Sequence, residues 1–299
     1  MIYITLAGSC KKKLNEAIIE LNSSGFKNIE LTGSVEYCPD YEKTLLDLKE
    51  KHRLNYLVHN YFPPPDKSFV LNFCSENKET YEMSLKLIKK ALNLCKVLGL
   101  KHYSFHPGYC LDLENKKQGK YFKYTVKEKP KAFYEELFYN RFDKLIKEIE
   151  GEENNNTNDI IIAVENLFPF NENEDYSLLS SPEEIMKFLE KYSHKENIGL
   201  LLDLGHLNIA SNYLGFDKYT FLDELFNKFS HKIFEIHMSG NNGTVDNHSV
   251  NEIDSWQIKF LEKNHQKIKN IPITLEWHDS TSKNNFKKKE EILKLLKLN

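Results

Sequence analysis

The chain has 299 residues, 40% of them hydrophobic and 28% charged, enough to bury the core of one large α/β domain. A net charge of -3, with only Arg53 and Arg141 as arginines among 41 basic residues, gives no general attraction for nucleic acid. Apolar runs such as "IGLLLDLG" are far too short to span a bilayer, and "MIYITLAGSCKKK" is no secretion signal, so no membrane partner is expected.

Short β-rich runs alternate with amphipathic helical stretches along the chain. Strands are predicted at 2–7 (IYITLA), 27–32 (KNIELT), 55–60 (NYLVHN), 101–106 (KHYSFH), 159–166 (DIIIAVEN), 198–204 (IGLLLDL), 232–238 (KIFEIHM) and 271–277 (IPITLEW). Between them, "NEAIIELNSSG" reads as a helix with a glycine stop, and "SLKLIKKALNLCKVLGL" carries apolar residues at helical spacing. "SPEEIMKFLEKYS" opens with Ser181 as cap, Pro182 at the first helical position and acids in the first turn, and "KKKEEILKLLKLN" is a closing helix. Eight nearly apolar strands, each followed by a helix, indicate a parallel sheet buried on both faces. In this length they predict a closed (β/α)8 TIM barrel spanning 1–299 as a single domain. No G-x-G-x-x-G or P-loop follows any strand, which removes the common nucleotide-binding alternatives. Segment 107–130, after the fourth strand, reads as an insertion, and "GEENNNTN" (151–158) as a mobile polar connector. The cysteines Cys10, Cys38, Cys74, Cys95 and Cys110 are odd in number and form no C-x-x-C pair, as suits a reducing cytoplasm.

In a barrel of this kind the active site lies at the C-terminal ends of the strands. The third predicted strand ends in His59, the fourth in His106, the fifth in Glu165 and the sixth in Asp203, with His206 three residues on. The seventh ends in His237 and the eighth in Glu276, while Asp246 and His248 follow in the loop after His237. One such residue is ordinarily a polar strand terminus; six consecutive strands aiming metal-binding side chains at one mouth are not. Burying so many ionisable groups together is costly unless cations balance them. The mixed imidazole and carboxylate set suits Zn²⁺, with Mn²⁺, Fe²⁺ or Co²⁺ also compatible. His52, His102, His194, His231, His265 and His278 fail the same positional test and are expected to be structural or on the surface.

The motifs "VHNYF", "FHPG", "VEN", "LLDLGH", "IHMS…VDNH" and "TLEW", in this order over about residues 2–280, resemble the endonuclease IV family of the xylose-isomerase-like barrels. The resemblance implies up to three divalent metal ions. His59, His106 and Glu165 would hold one, Glu165 would bridge to a second held by Asp203, His237 and Glu276, and His206, Asp246 and His248 would hold a third. It implies phosphoester hydrolysis, with Glu165, Glu276 and His206 as the catalytic candidates. The substrate would be abasic-site DNA or a smaller phosphodiester.

The loops that would meet a duplex, "LTGSVEYCPD" and "HNYFPPPDKS", contain no arginine, which weakens the case for DNA. Tyr61 and Phe62 are the candidate wedges there. The 107–130 insertion supplies Lys116, Lys117, Lys120, Lys123, Lys127 and Lys129 among Tyr121, Phe122 and Tyr124, so Lys120 and Lys123 are candidate substrate contacts, in a lid over a small anion or along a backbone. The alternative is a sugar or sugar-phosphate isomerase or epimerase. The resemblance gives such relatives a single metal at the positions of Glu165, Asp203, His237 and Glu276, where two carboxylates pass a proton between carbons. Oxidation of a peptide by an iron centre is a third possibility for the same ligand set.

Overall fold

The computed structural model describes residues 1–9, 12–115, 122–124, 129–151, 159–169, 175–278 and 283–296. Its strands, in chain order, are β1 (Ile2–Thr5), β2 (Asn28–Leu31), β3 (Asn55–His59), β4 (His102–Phe105), β5 (Leu113–Asn115), β6 (Phe122–Tyr124), β7 (Ile161–Glu165), β8 (Ile198–Asp203), β9 (Ile233–Met238) and β10 (Ile273–Leu275). β5 and β6 form a separate antiparallel hairpin; the other eight close a parallel barrel in the order β1-β10-β9-β8-β7-β4-β3-β2. These eight are the predicted strands, trimmed at their ends.

The helices are α1 (Leu14–Ser23), α2 (Tyr41–His52), α3 (Lys78–Leu98), α4 (Lys131–Gly151), α5 (Pro182–Lys191), α6 (Leu204–Leu214), α7 (Lys218–Phe229), α8 (Trp256–Lys263), α9 (His265–Ile268) and α10 (Lys283–Leu295). Local chemistry sets their ends. The Asn77 side chain accepts the amides of Glu79 and Thr80 at the start of α3, and Gly99, at φ 64°, takes the left-handed conformation that stops it. Ser181 caps α5 through the Glu184 amide, as its sequence predicts. The apolar stripe of α3, including Leu87, Ile88, Ala91, Leu92 and Cys95, packs onto the outer face of the barrel. Phe138 and Phe142 of α4 stack with ring centres 5.4 Å apart and meet Phe105 and Phe188.

Two return segments are more divided than a simple strand–helix alternation. β8 is followed by α6 and α7, and β9 by the loop carrying Asp246 and His248 and then by α8 and α9. The insertion after β4 contains the hairpin, whose backbone register pairs Glu114 with Lys123. Lys116, Lys117, Lys120, Tyr121 and Lys127, like the 152–158 connector, lie outside the described residues. Among the described residues Cys38, Cys74 and Cys95 are free thiols, and no helix is long and apolar enough to cross a membrane.

Candidate metal centre

The strand ends bring the expected imidazoles and carboxylates to one mouth. Among the described residues, ligand atoms lie within 4.8 Å of one another in four groups: His59–His106–Glu165, Glu165–Asp203–His206, Asp203–His237–Glu276 and Glu30–His59–His237. The first and third are the sets expected for two of the ions. Glu165 belongs to both of the first two groups. Its Oε2 lies 3.4 Å from His59 Nε2 and 3.1 Å from His106 Nε2, and its Oε1 3.1 Å from His206 Nδ1.

Asp203 ends β8 and also caps α6. Its Oδ1 accepts the His206 amide at 2.6 Å, at a helix N-terminus that favours negative charge, and its Oδ2 has no hydrogen-bond partner among the described residues. His237 faces Asp203 across the β8–β9 ladder, with Nδ1 3.8 Å from Asp203 Oδ2 and 3.5 Å from Glu276 Oε2. The His206, Asp246 and His248 set is joined through its carboxylate: Asp246 Oδ2 lies 3.4 Å from His206 Nε2 and 2.8 Å from His248 Nε2. It is not among the four tighter groups found within the described residues.

Hydrogen bonds on the far side of each ring decide which nitrogen is bare. His206 Nδ1 is 2.9 Å from the Asn166 carbonyl, and His248 Nδ1 is 3.2 Å from the Glu276 carbonyl. A carbonyl only accepts, so each Nδ1 carries the proton and, in the neutral ring, Nε2 presents a lone pair toward Asp246. His237 donates through Nε2 to Glu30 Oε2 at 2.7 Å, leaving Nδ1, which has no hydrogen-bond partner among the described residues, aimed at Asp203 and Glu276. Among the described residues the buried Glu165 Oε2, Asp203 Oδ2, Asp246 Oδ1 and Glu276 Oε2 also lack hydrogen-bond partners. Lone pairs and orphaned carboxylate oxygens converging in a buried space are the chemistry of a divalent-cation site, and the donor set fits one.

The electrostatics reflect the crowding. Burial pushes the His59 imidazole down to about 4 and raises the Asp203 carboxyl to about 6. Burial also disfavours charge on Glu276, but the His248 and His237 imidazoles outweigh it and hold that carboxyl near about 2. For His248 the balance reverses: burial lowers it, while Glu276 and Asp246 lift it to about 10. Burial raises Glu165, yet His106, His206 and His59 together bring it well below the usual carboxylate range. So much buried acid attracts positive charge, as protons or as metal.

One of the expected substrate contacts is corrected. Phe62 is fully buried and packs edge-on against Tyr41, so it offers no surface to a duplex. The Tyr61 hydroxyl accepts the Leu71 amide at 2.7 Å and its ring meets Phe69, because the loop after β3 folds down onto the barrel. Lys123 lies on β6, Lys120 is outside the described residues, and Lys129 pairs with Glu76. The sequence reading missed Phe168, half-buried with its ring centre 4.8 Å from that of His206, and Glu30 and Glu235 inside the barrel. His102 is buried against Glu235, and the exposed His278 ring lies 4.7 Å from that of His248.

A closed parallel barrel with imidazoles and carboxylates gathered at the C-terminal mouth defines an enzyme class. Residues 18–297 match the xylose isomerase-like TIM barrel family, and the chain belongs to it. It is 24% identical over 233 residues to apurinic-apyrimidinic endonuclease 1 of Plasmodium berghei, covering 73% of this chain but 39% of that protein. Among solved structures, a D-tagatose 3-epimerase-like protein superimposes with a TM-score of 0.71 at 21% identity, over 99% of this chain and 96% of the other. Endonuclease IV from Thermus thermophilus does so with a TM-score of 0.60 at 16% identity, over 98% of each chain. The family resemblance read from the motifs is borne out; the superpositions support the barrel alone.

Proposed function

We propose that this chain is a metal-dependent phosphoester hydrolase with a multinuclear centre. The observation that carries the reading is the set of ligand candidates beyond the needs of one ion: His59 and His106 on Glu165, and the Asp246–His248 pair beside His206, with Nε2 of His206 and of His248 facing Asp246. His59, His106 and Glu165 would hold one cation, Glu165, Asp203, His237 and Glu276 a second, and His206, Asp246 and His248 a third. When bound, such cations make water nucleophilic at neutral pH and neutralise charge on a departing oxygen.

The protein's own groups do the positioning. Imidazoles face both oxygens of Glu165 at 3.1–3.4 Å, which puts the carboxylate where the first two sets meet. Asp203 is locked by its cap bond to the His206 amide. Phe168 supplies an apolar wall beside His206 for the body of a substrate. The relative named as an apurinic-apyrimidinic endonuclease supports phosphodiesters as the substrate class.

A second reading, sugar epimerisation with one ion, is favoured by the placement of Glu165 and Glu276 around Asp203 and His237. The discriminating experiment is elemental analysis of protein purified without chelators, followed by assays on abasic-site DNA, a chromogenic phosphodiester and ketohexoses. About three Zn or Mn ions per chain with phosphodiester cleavage supports the hydrolase. About one ion with hydrogen exchange into a sugar overturns it.

A further inference from the structure

Below the ligand candidates, the barrel interior holds a second tier of polar groups where barrels of this kind are usually filled with branched aliphatic side chains. Glu30 of β2, His102 and Ser104 of β4, Glu235 of β9 and Thr274 of β10 are all buried. Alternation along the strands places them: His102, Ser104 and His106 share one face of β4, as Glu235 and His237 do on β9. Glu235 is the hub. Its Oε2 accepts from His102 Nε2 at 2.7 Å and Ser104 Oγ at 3.2 Å, and its Oε1 from Thr274 Oγ1 at 2.7 Å. Ser104 Oγ in turn lies 3.0 Å from His59 Nδ1. A serine hydroxyl has one proton, and here it goes to Glu235, so His59 must donate from Nδ1 and keep Nε2 bare toward Glu165. Glu30 does the same for His237 directly, holding Nε2 at 2.7 Å so that Nδ1 faces Asp203 and Glu276.

We propose that Glu30 and Glu235 are positioning residues of the metal centre, Glu30 fixing the orientation and tautomer of His237 and Glu235, through Ser104, those of His59. The inference rests on the metal-dependent reading but holds for one ion or three. Each carboxylate also raises the basicity of the imidazole it supports, as outer partners of metal-binding histidines do.

The test uses Glu30→Gln, Glu235→Gln and Ser104→Ala in the full chain. Zn²⁺ and Co²⁺ are titrated against a chromophoric chelator, and melting of the metal-free protein is followed in parallel. Ser104→Ala removes the relay without touching a buried charge, so the proposal stays testable if Glu235→Gln fails to fold. Expected are unchanged stoichiometry, affinity weakened about 10- to 100-fold at one site in each variant, and metal-free melting within about 4 °C of wild type. An altered Co²⁺ visible spectrum in Glu30→Gln would add support, since His237 would coordinate in a changed orientation. Loss of a whole ion in Glu30→Gln would make Glu30 a ligand within the Glu30–His59–His237 group and overturn the proposal. Wild-type affinity in metal-replete variants, or affinity loss matched by collapse of the metal-free fold, would also overturn it. Wild-type protein that takes up no ion would instead defeat the functional reading itself, and this inference with it.

Discussion

His248 donates its Nδ1–H to the backbone carbonyl of Glu276 across 3.2 Å, and the His278 amide returns a bond of 3.1 Å to the His248 carbonyl. The D-x-H loop after β9 is therefore stitched to the segment leaving β10. His248 sits at φ 45°, a left-handed conformation that costs a non-glycine residue energy and persists where surrounding bonds enforce it. The result is an imidazole whose Nε2 is delivered to Asp246.

That geometry separates the two functional readings. Asp246→Asn keeps the shape of the side chain but removes the charge between His206 and His248. Elemental analysis should show a loss of about one ion per chain, with phosphodiester cleavage down at least about 10-fold. An unchanged metal content would mean that the D-x-H pair holds no ion.

Glu165→Gln addresses the other end of the cluster. The carboxylate meets His59, His106 and His206 at 3.1–3.4 Å, and a neutral amide would remove the negative charge that a cation held among them needs. Turnover should fall at least about 100-fold, while the circular dichroism spectrum stays that of the wild type. Full activity in the variant would remove Glu165 from its bridging role.

The barrel was legible because each strand is a short apolar run bounded by turn residues, and strand ends are where function concentrates in this architecture. His59, His106, Glu165, Asp203, His237 and Glu276 could be found by that position alone. Glu30 and Glu235 were not, because an isolated acid within an apolar strand carries no signal unless the alternation is followed inward. Counting back two from His237 reaches Glu235, and counting back two and four from His106 reaches Ser104 and His102. The loop after β3 misled for a different reason. Aromatic side chains at a mouth suggest contact with a ligand, but only packing shows that Phe62 is spent on the core and that the Tyr61 hydroxyl serves Leu71.

Tyr61→Phe tests that correction. Removing the hydroxyl leaves the buried Leu71 amide without its acceptor, a loss of about 1 kcal/mol. Thermal melting should fall by about 1–2 °C, with KM unchanged for any substrate turned over. A raised KM with unaltered melting would restore Tyr61 as a substrate contact.

Gly205, in the "LLDLGH" segment, offers a subtler probe. A Cβ built there would lie 2.3 Å from Ser239 Oγ, 3.1 Å from Asp203 Oδ1 and 3.2 Å from Asn241 Nδ2. Ser239 Oγ makes no hydrogen bond among the described residues, so it can rotate away and relieve the closest contact cheaply. The helix gains about 1 kcal/mol from alanine over glycine, offsetting much of the remaining crowding of about 1–3 kcal/mol. Asp203 cannot retreat as freely, because its Oδ1 is held at 2.6 Å by the His206 amide. Gly205→Ala should therefore melt close to wild type yet bind metal more weakly, since a shift of a few tenths of an ångström in Asp203 carries its other oxygen off the position facing His237 and Glu276. Chelator competition alongside melting makes the comparison. Equal affinity in variant and wild type would show that Asp203 has room to move, and that its cap bond to α6 does not set the geometry of the centre.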